Sequence, residues 1–215
     1  MGRKSLATER RAQCLDAFEE CLVEHGYAGA TLERVAERAG VHRTIIRHYF
    51  GGRDELVDAL LARLRSRYAE RYLYDDAGES PDETLAKVLD AIFVPFTSGA
   101  PTMDRVFDAL YATATSDPRV LEFLRTFYRD ATERLEERIA SAHPHASRAE
   151  LRTVTAGILA LGVGHSILDT IEPVRERAKR LRVAADALLA TLRAGPSAPR
   201  SAPARRRARA RLPSS

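Results

Sequence analysis

The sequence predicts an all-α protein: an N-terminal three-helix helix-turn-helix domain followed by a C-terminal helical bundle, about nine helices in total. Three observations lead there. Apolar residues recur at spacings of three and four almost throughout the 215 residues, and no strictly alternating stretch is bounded by hairpin turns. Helix starts are marked by capping signals, among them "SPDE" at Ser80 to Glu83, "SRAE" at Ser147 to Glu150, Asp117-Pro118 and Glu172-Pro173. The first three helical segments are short and closely connected, whereas the later ones are long and joined by loops. Helices are expected at 8–25, 32–38, 43–50, 53–73, 82–98, 102–115, 118–141, 148–170 and 173–193. They divide into a domain at 8–60, a second at 61–194, and a tail at 195–215 that has too little to bury to fold.

The first helix carries Cys14 and Cys21 and ends at Gly26. Seven residues of helix place the two thiols on one face but about 10 Å apart along the axis, too far for a disulfide. Both are expected as small buried groups. Thr31 then caps a helix whose Val35 and Ala39 face inward and whose Ala36 lets a second helix cross closely. Gly40 supplies the turn, Val41 is buried after it, and Ile46, Tyr49 and Phe50 form the inner stripe of the next helix. With those positions inward, Arg43 and Arg47 fall together on the opposite face beside Thr44 and His48. An arginine fork matches guanine edges or phosphates, threonine bonds a base or touches a thymine methyl, and histidine donates to phosphate. A short helix carrying these groups fits a DNA major groove. Taken alone, solvation would leave the same charged face on any helix pair with a glycine turn.

Context separates the two readings. The segment "FEECLVEHGYAGATLERVAERAGVHRTIIRHYFGGRDELVDAL" resembles the N-terminal domain of TetR/AcrR-type transcriptional regulators. The likeness covers about residues 10 to 61 and rests on "EHGY", Thr31, "VAERAGV", "HYF" and "RDEL". It implies that the third helix enters the major groove, with Arg43 and Thr44 as candidate base readers and His48 and Tyr49 as backbone contacts. Arg53 opens the fourth helix where the family often has lysine, which implies a phosphate contact; Thr31 would make another through its amide at a helix N-terminus. Three positions depart from the family pattern. His42 replaces a capping serine or threonine, Ile45 a small or hydroxylated residue, and Arg47 an aromatic phosphate contact. Arg47 could therefore read a base, and Ile45 could press on a thymine methyl.

The fifth to seventh helices carry Phe93, Phe96, Met103, Phe107, Tyr111, Phe123, Phe127 and Tyr128. Aromatics at helical spacing are usually core. The resemblance implies an effector pocket here, with Phe93, Phe96, Phe107, Tyr111 and Phe127 as lining candidates, joined by His165, and an apolar or aromatic occupant. The eighth helix is apolar around most of its circumference, as an isolated surface helix would not be. Ala156, Gly162 and Gly164 would admit a close neighbour. Ile158, Leu161 and Gly162, with Leu181, Leu188 and Leu192 of the ninth helix, are therefore candidates for an intersubunit four-helix bundle. The alternative is that both helices form the interior of a monomer. His165 with Asp169, and the "HPH" at His143 to His145, lack a third ligand, so neither metal nor cofactor is expected.

The formal net charge of +4 is misleading, since six arginines and no acid lie in residues 195–215, leaving about −2 for the remainder. Arginine outnumbers lysine 31 to 3 overall, so an arginine informs only through its position. No uninterrupted apolar run approaches a membrane span and the first residues lack a signal peptide's apolar segment, so a cytoplasmic location is expected. No nucleophile stands beside a base, and no glycine-rich phosphate loop occurs, so an enzyme is not expected. The sequence thus reads as a repressor that binds a palindromic operator in double-stranded DNA as a homodimer and releases it on binding a small molecule. A constitutive DNA-binding protein without an effector is the alternative.

Overall fold

A computed structural model describes residues 2–72, 78–93 and 103–193. Phe96 and the arginine-rich tail at 195–215 lie outside the described residues. Nine helices occur among the described residues: α1 (Gly2–Gly29), α2 (Leu32–Arg38), α3 (Arg43–Phe50), α4 (Arg53–Tyr72), α5 (Pro81–Phe93), α6 (Met103–Thr113), α7 (Pro118–Ala142), α8 (Arg148–Ile171) and α9 (Arg175–Arg193). No strand occurs among them.

Local chemistry sets most of these boundaries. Helical geometry in α1 breaks at Gly26, whose φ is 69°. Glu83 N–H donates to Ser80 Oγ at 3.3 Å while Ser80 N–H donates to the Glu83 carboxylate at 2.9 Å, so two otherwise orphaned amides at the head of α5 satisfy each other's side chains. Ser147 and Glu150 repeat the arrangement at α8. Asp117 caps α7 by accepting from Arg119 N–H at 2.9 Å, with Pro118 at the first helical position.

Two apolar cores follow. The first joins α1 to α4 with Val106, Phe107 and Leu110 of α6 and Val120, Phe123, Leu124 and Phe127 of α7. Cys14 and Cys21 are free and buried in it. The second joins α5, the far half of α7 (Leu135, Ile139), α8 and α9. α7 thus runs through both. The boundary drawn from sequence at residue 60 falls inside α4, whose Leu60, Leu61 and Leu64 all belong to the first core. The apolar face of α6 covers the reader unit, which periodicity within α6 does not reveal. Between α1 and α4, fully buried Glu19 meets Arg67 at 2.8 Å and Arg63 at 3.4 Å. Burial pushes its carboxyl above the ordinary value, against the pull of the two guanidinium groups.

Candidate nucleic-acid interface

The α2–α3 turn is built from backbone bonds. Val41 N–H reaches Ala36 O at 3.0 Å and Gly40 N–H reaches Glu37 O at 3.1 Å, the paired bonds of a Schellman cap. Gly40 takes the left-handed φ of 61° that this cap requires. Ile46 and Phe50 are buried and Tyr49 half-buried, so α3 is anchored by one face. His42, Arg43, Thr44, Ile45, Arg47 and His48 are exposed together on the other. The division expected from sequence holds position by position. His42, although absent from the usual set of caps, performs the capping itself: its Nδ1 accepts from Thr44 N–H at 3.4 Å and lies 2.9 Å from the Thr44 hydroxyl.

Other side chains are more constrained than the sequence suggested. Thr31 N–H donates to Gly29 O at 2.9 Å, so its amide is already satisfied within the turn; its hydroxyl accepts from Arg34 N–H at 3.4 Å. In this structure the Thr31 amide, expected at a phosphate, is engaged by Gly29 O. Arg53 does not project freely: its guanidinium lies 4.5 Å from the Tyr27 ring centroid and donates to Tyr27 O. Arg43 makes a 2.6 Å ion pair with Glu33 of α2. Arg11 stacks 4.4 Å from the Phe50 ring centroid and donates to Tyr49 O, locking α1 to the end of α3. Glu33, Arg11 and Tyr27 were not singled out from sequence, because their roles arise only once α1 and α2 are packed against α3 and α4.

A polar junction ties this unit to the rest of the molecule. The Tyr27 hydroxyl donates to Asp117 at 2.6 Å, and Arg119 links Asp117 at 3.3 Å to Asp54 of α4 at 2.9 Å. The Tyr27 hydroxyl, aided by donors on Arg119, holds the Asp117 carboxyl down at about 2. Burial, and then the same hydrogen bond, pushes the phenol up to about 12.

The aromatic candidates separate between the two cores. Phe107 and Phe127 pack with ring centroids 4.7 Å apart, Tyr111 stacks on Tyr128 at 6.2 Å, and all four belong to the first core. Phe93 lies in the second, 6.4 Å from His165 between ring centroids. Of the pocket candidates among the described residues, Phe107, Tyr111 and Phe127 therefore belong to one core, and Phe93, with His165 beside it, to the other. A groove of 370 Å³ between α1 and α2, lined by Glu9, Gln13, Asp16, Glu20 and Arg38 among others, has none of these aromatics in its lining.

The interface candidates also divide. Ile158 is 0% and Leu192 8% exposed within a single protomer, so both serve the second core instead of a partner. At Gly162 a Cβ would lie 2.7 Å from Ile92 of α5, which makes this close approach internal as well. Leu161, Leu181 and Leu188 are half-buried against the same core. The uncovered apolar surface lies further along α8: Ile167, Leu168 and Ile171 are 42%, 48% and 74% exposed, with Gly164 open beside them and Val183 of α9 67% exposed. By length and composition alone α8 is apolar enough to cross a membrane, although His165, Ser166 and Asp169 interrupt its apolar run.

Comparison with known proteins completes the assignment. The family signature described as "Bacterial regulatory proteins, tetR family" matches residues 15–60, the stretch that holds most of α1 and all of α2 and α3. The HTH-type transcriptional regulator BetI of Burkholderia mallei (strain NCTC 10229) is 32% identical over 164 residues, covering 75% of this chain and 82% of that protein. The chain belongs to the TetR family. BetI of Burkholderia lata is similar at 30% identity over 163 residues. Among solved structures, a TetR transcription regulator from Haloarcula marismortui shares the fold with a TM-score of 0.72 at 19% identity, covering 86% of this chain and 98% of that one. SmeT, the repressor of the Stenotrophomonas maltophilia multidrug efflux pump SmeDEF, gives 0.63 at 24% identity, covering 84% and 89%. As a TetR-family transcriptional regulator, the protein binds DNA.

Proposed function

We propose that this regulator is a repressor that binds a palindromic operator as a dimer and is released by a small apolar or aromatic effector. The observation that carries the reading is the outward face of α3, where His42, Arg43, Thr44, Ile45, Arg47 and His48 are exposed together opposite buried Ile46 and Phe50. Arg43, Thr44 and Arg47 carry donors suited to base edges; His48 and Tyr49 suit the backbone. Arg53 retains guanidinium donors for a phosphate beyond the one given to Tyr27 O. So small a reader needs two half-sites for useful affinity. The spacing of Gly164, Ile167, Leu168 and Ile171 puts them on one stripe of α8, and the exposure of Ile167, Leu168 and Ile171 supports a symmetric helical interface there.

Effector binding is supported by the second core. His165 is 6% exposed, and neither its Nδ1 nor the Thr155 hydroxyl has a hydrogen-bond partner. Buried polar atoms left unpaired are costly, and a polar anchor beside Phe93 in apolar surroundings suits a small ligand. A constitutive regulator without an effector is the second reading, favoured by the close packing of Phe107, Tyr111 and Phe127. Selection of bound fragments from random DNA tests the main reading. A recovered inverted repeat supports it, whereas no enriched sequence would leave general DNA affinity alone. Release of that site by an aromatic compound then separates the two effector readings.

A further inference from the structure

Glu33 stands two residues after the cap Thr31, and its carboxylate meets Nη1 of Arg43 at 2.6 Å across the α2–α3 angle. The side chains are 59% and 45% exposed, and so open an ion pair contributes little to stability. Its importance lies in its location. A carboxylate here stands on the surface offered to a polyanion, against the arginine best placed to read it. Glu33 is held below the usual carboxylate range by its own backbone amide first, and by Arg43, the Thr31 hydroxyl and Arg47, so it stays ionised at neutral pH.

Two different costs follow on two kinds of DNA. On random sequence, an Arg43 fork turned to a phosphate either leaves Glu33 unpaired or carries its carboxylate toward phosphate oxygens of like charge. On a matching base edge, the Nε and Nη2 donors of Arg43 remain free while Nη1 keeps its carboxylate, so the fork is already oriented and nothing is lost. We propose that Glu33 is a positioning residue for specificity: it orients Arg43 toward a base edge and penalises phosphate-only binding by α3. The inference rests on the reading that α3 enters the major groove with Arg43 on a base.

The test uses the full chain, the duplex recovered by selection and a scrambled duplex of equal length, with affinities measured across several salt concentrations. Glu33→Gln should tighten binding to scrambled DNA by about threefold to fivefold per subunit while leaving the selected site nearly unchanged. The salt slope on scrambled DNA should steepen by about one per subunit, since one more phosphate is neutralised. In an Arg43→Ala background the same substitution should give no steeper slope, and Glu33→Asp should restore part of the discrimination. Equal changes on both duplexes, or an unchanged ratio, overturn the proposal. If Arg43→Ala leaves the ratio of the two affinities unaltered, the base-reading role of Arg43 fails and the role of Glu33 falls with it. If Arg43→Ala lowers that ratio but Glu33→Gln does not, Glu33 alone is overturned.

Discussion

Replacing Tyr27 with phenylalanine removes one hydroxyl and keeps the ring on which Arg53 stacks, so it isolates the hydrogen bond to Asp117. The Asp117 carboxyl sits at about 2 against an ordinary 3.8, a difference equivalent to roughly 2 kcal/mol of preference for the ionised form. The Tyr27 hydroxyl is the largest of several causes, and the Asp117 side chain is only 14% exposed, so the loss should be about 1–1.5 kcal/mol. For a chain of this length that lowers the thermal midpoint by about 2–6 °C. The pH dependence follows from the signs. Asp117 is depressed in the folded protein, so its contribution is present above pH 3.8 and disappears as pH falls toward 2. Tyr27 is raised, so its contribution is present below pH 10 and disappears as pH climbs toward 12. The gap between wild type and Tyr27→Phe should therefore be flat from about pH 5 to 9 and narrow on either side. Urea unfolding in a double-mutant cycle with Asp117→Asn, which keeps a capping side chain, measures the pair directly. A coupling below about 0.3 kcal/mol, or a gap that persists undiminished at pH 3, would refute the reasoning.

Arg43→Ala should cost about 1–3 kcal/mol on the selected operator and much less on random DNA, as read by competition titration; an equal loss on both would assign Arg43 to phosphate. Leu168→Glu, at a position already 48% exposed, should leave the fold intact but give monomers in sedimentation and lose operator binding, whereas a wild type that sediments as a monomer removes the basis for the interface. Glu19→Ala strands the partly exposed guanidinium groups of Arg63 and Arg67 at a buried site and should destabilise by about 2 kcal/mol in urea unfolding, a smaller figure than for a fully buried pair.

Features that depend on a few consecutive residues were legible in the sequence. Ser80 with Glu83, Ser147 with Glu150, and Asp117 before Pro118 act as caps because the partners are three residues away or fewer. The inner and outer faces of α3 follow from helical period alone. What escaped was set by distant packing. The sequence pointed to His42 as a departure from a cap, although its ring nitrogen performs that task. Nothing in the sequence showed that Arg53, expected at a phosphate, would also lie against the Tyr27 ring, brought from 26 residues away. The aromatic residues share helical spacing yet belong to two cores, since α7 passes through both. The exposed stripe on α8 begins beyond Gly162 because α5 already occupies that glycine through Ile92.

The continuity of the first core limits how this regulator could be rebuilt from parts. A chimera that grafts a different reader onto residues 61 onward would cut α4 in mid-helix, between Leu60 and Leu61, two side chains of one cluster. The new reader would also meet Val106, Phe107 and Leu110 on α6 and Phe123, Leu124 and Phe127 on α7, surfaces shaped for the old one. Those faces must travel with the reader, although α5, which lies between α4 and α6 along the chain, belongs to the other core and must stay behind. The exchangeable unit is therefore discontinuous in sequence, and a transplant succeeds only as a set of matched helix faces.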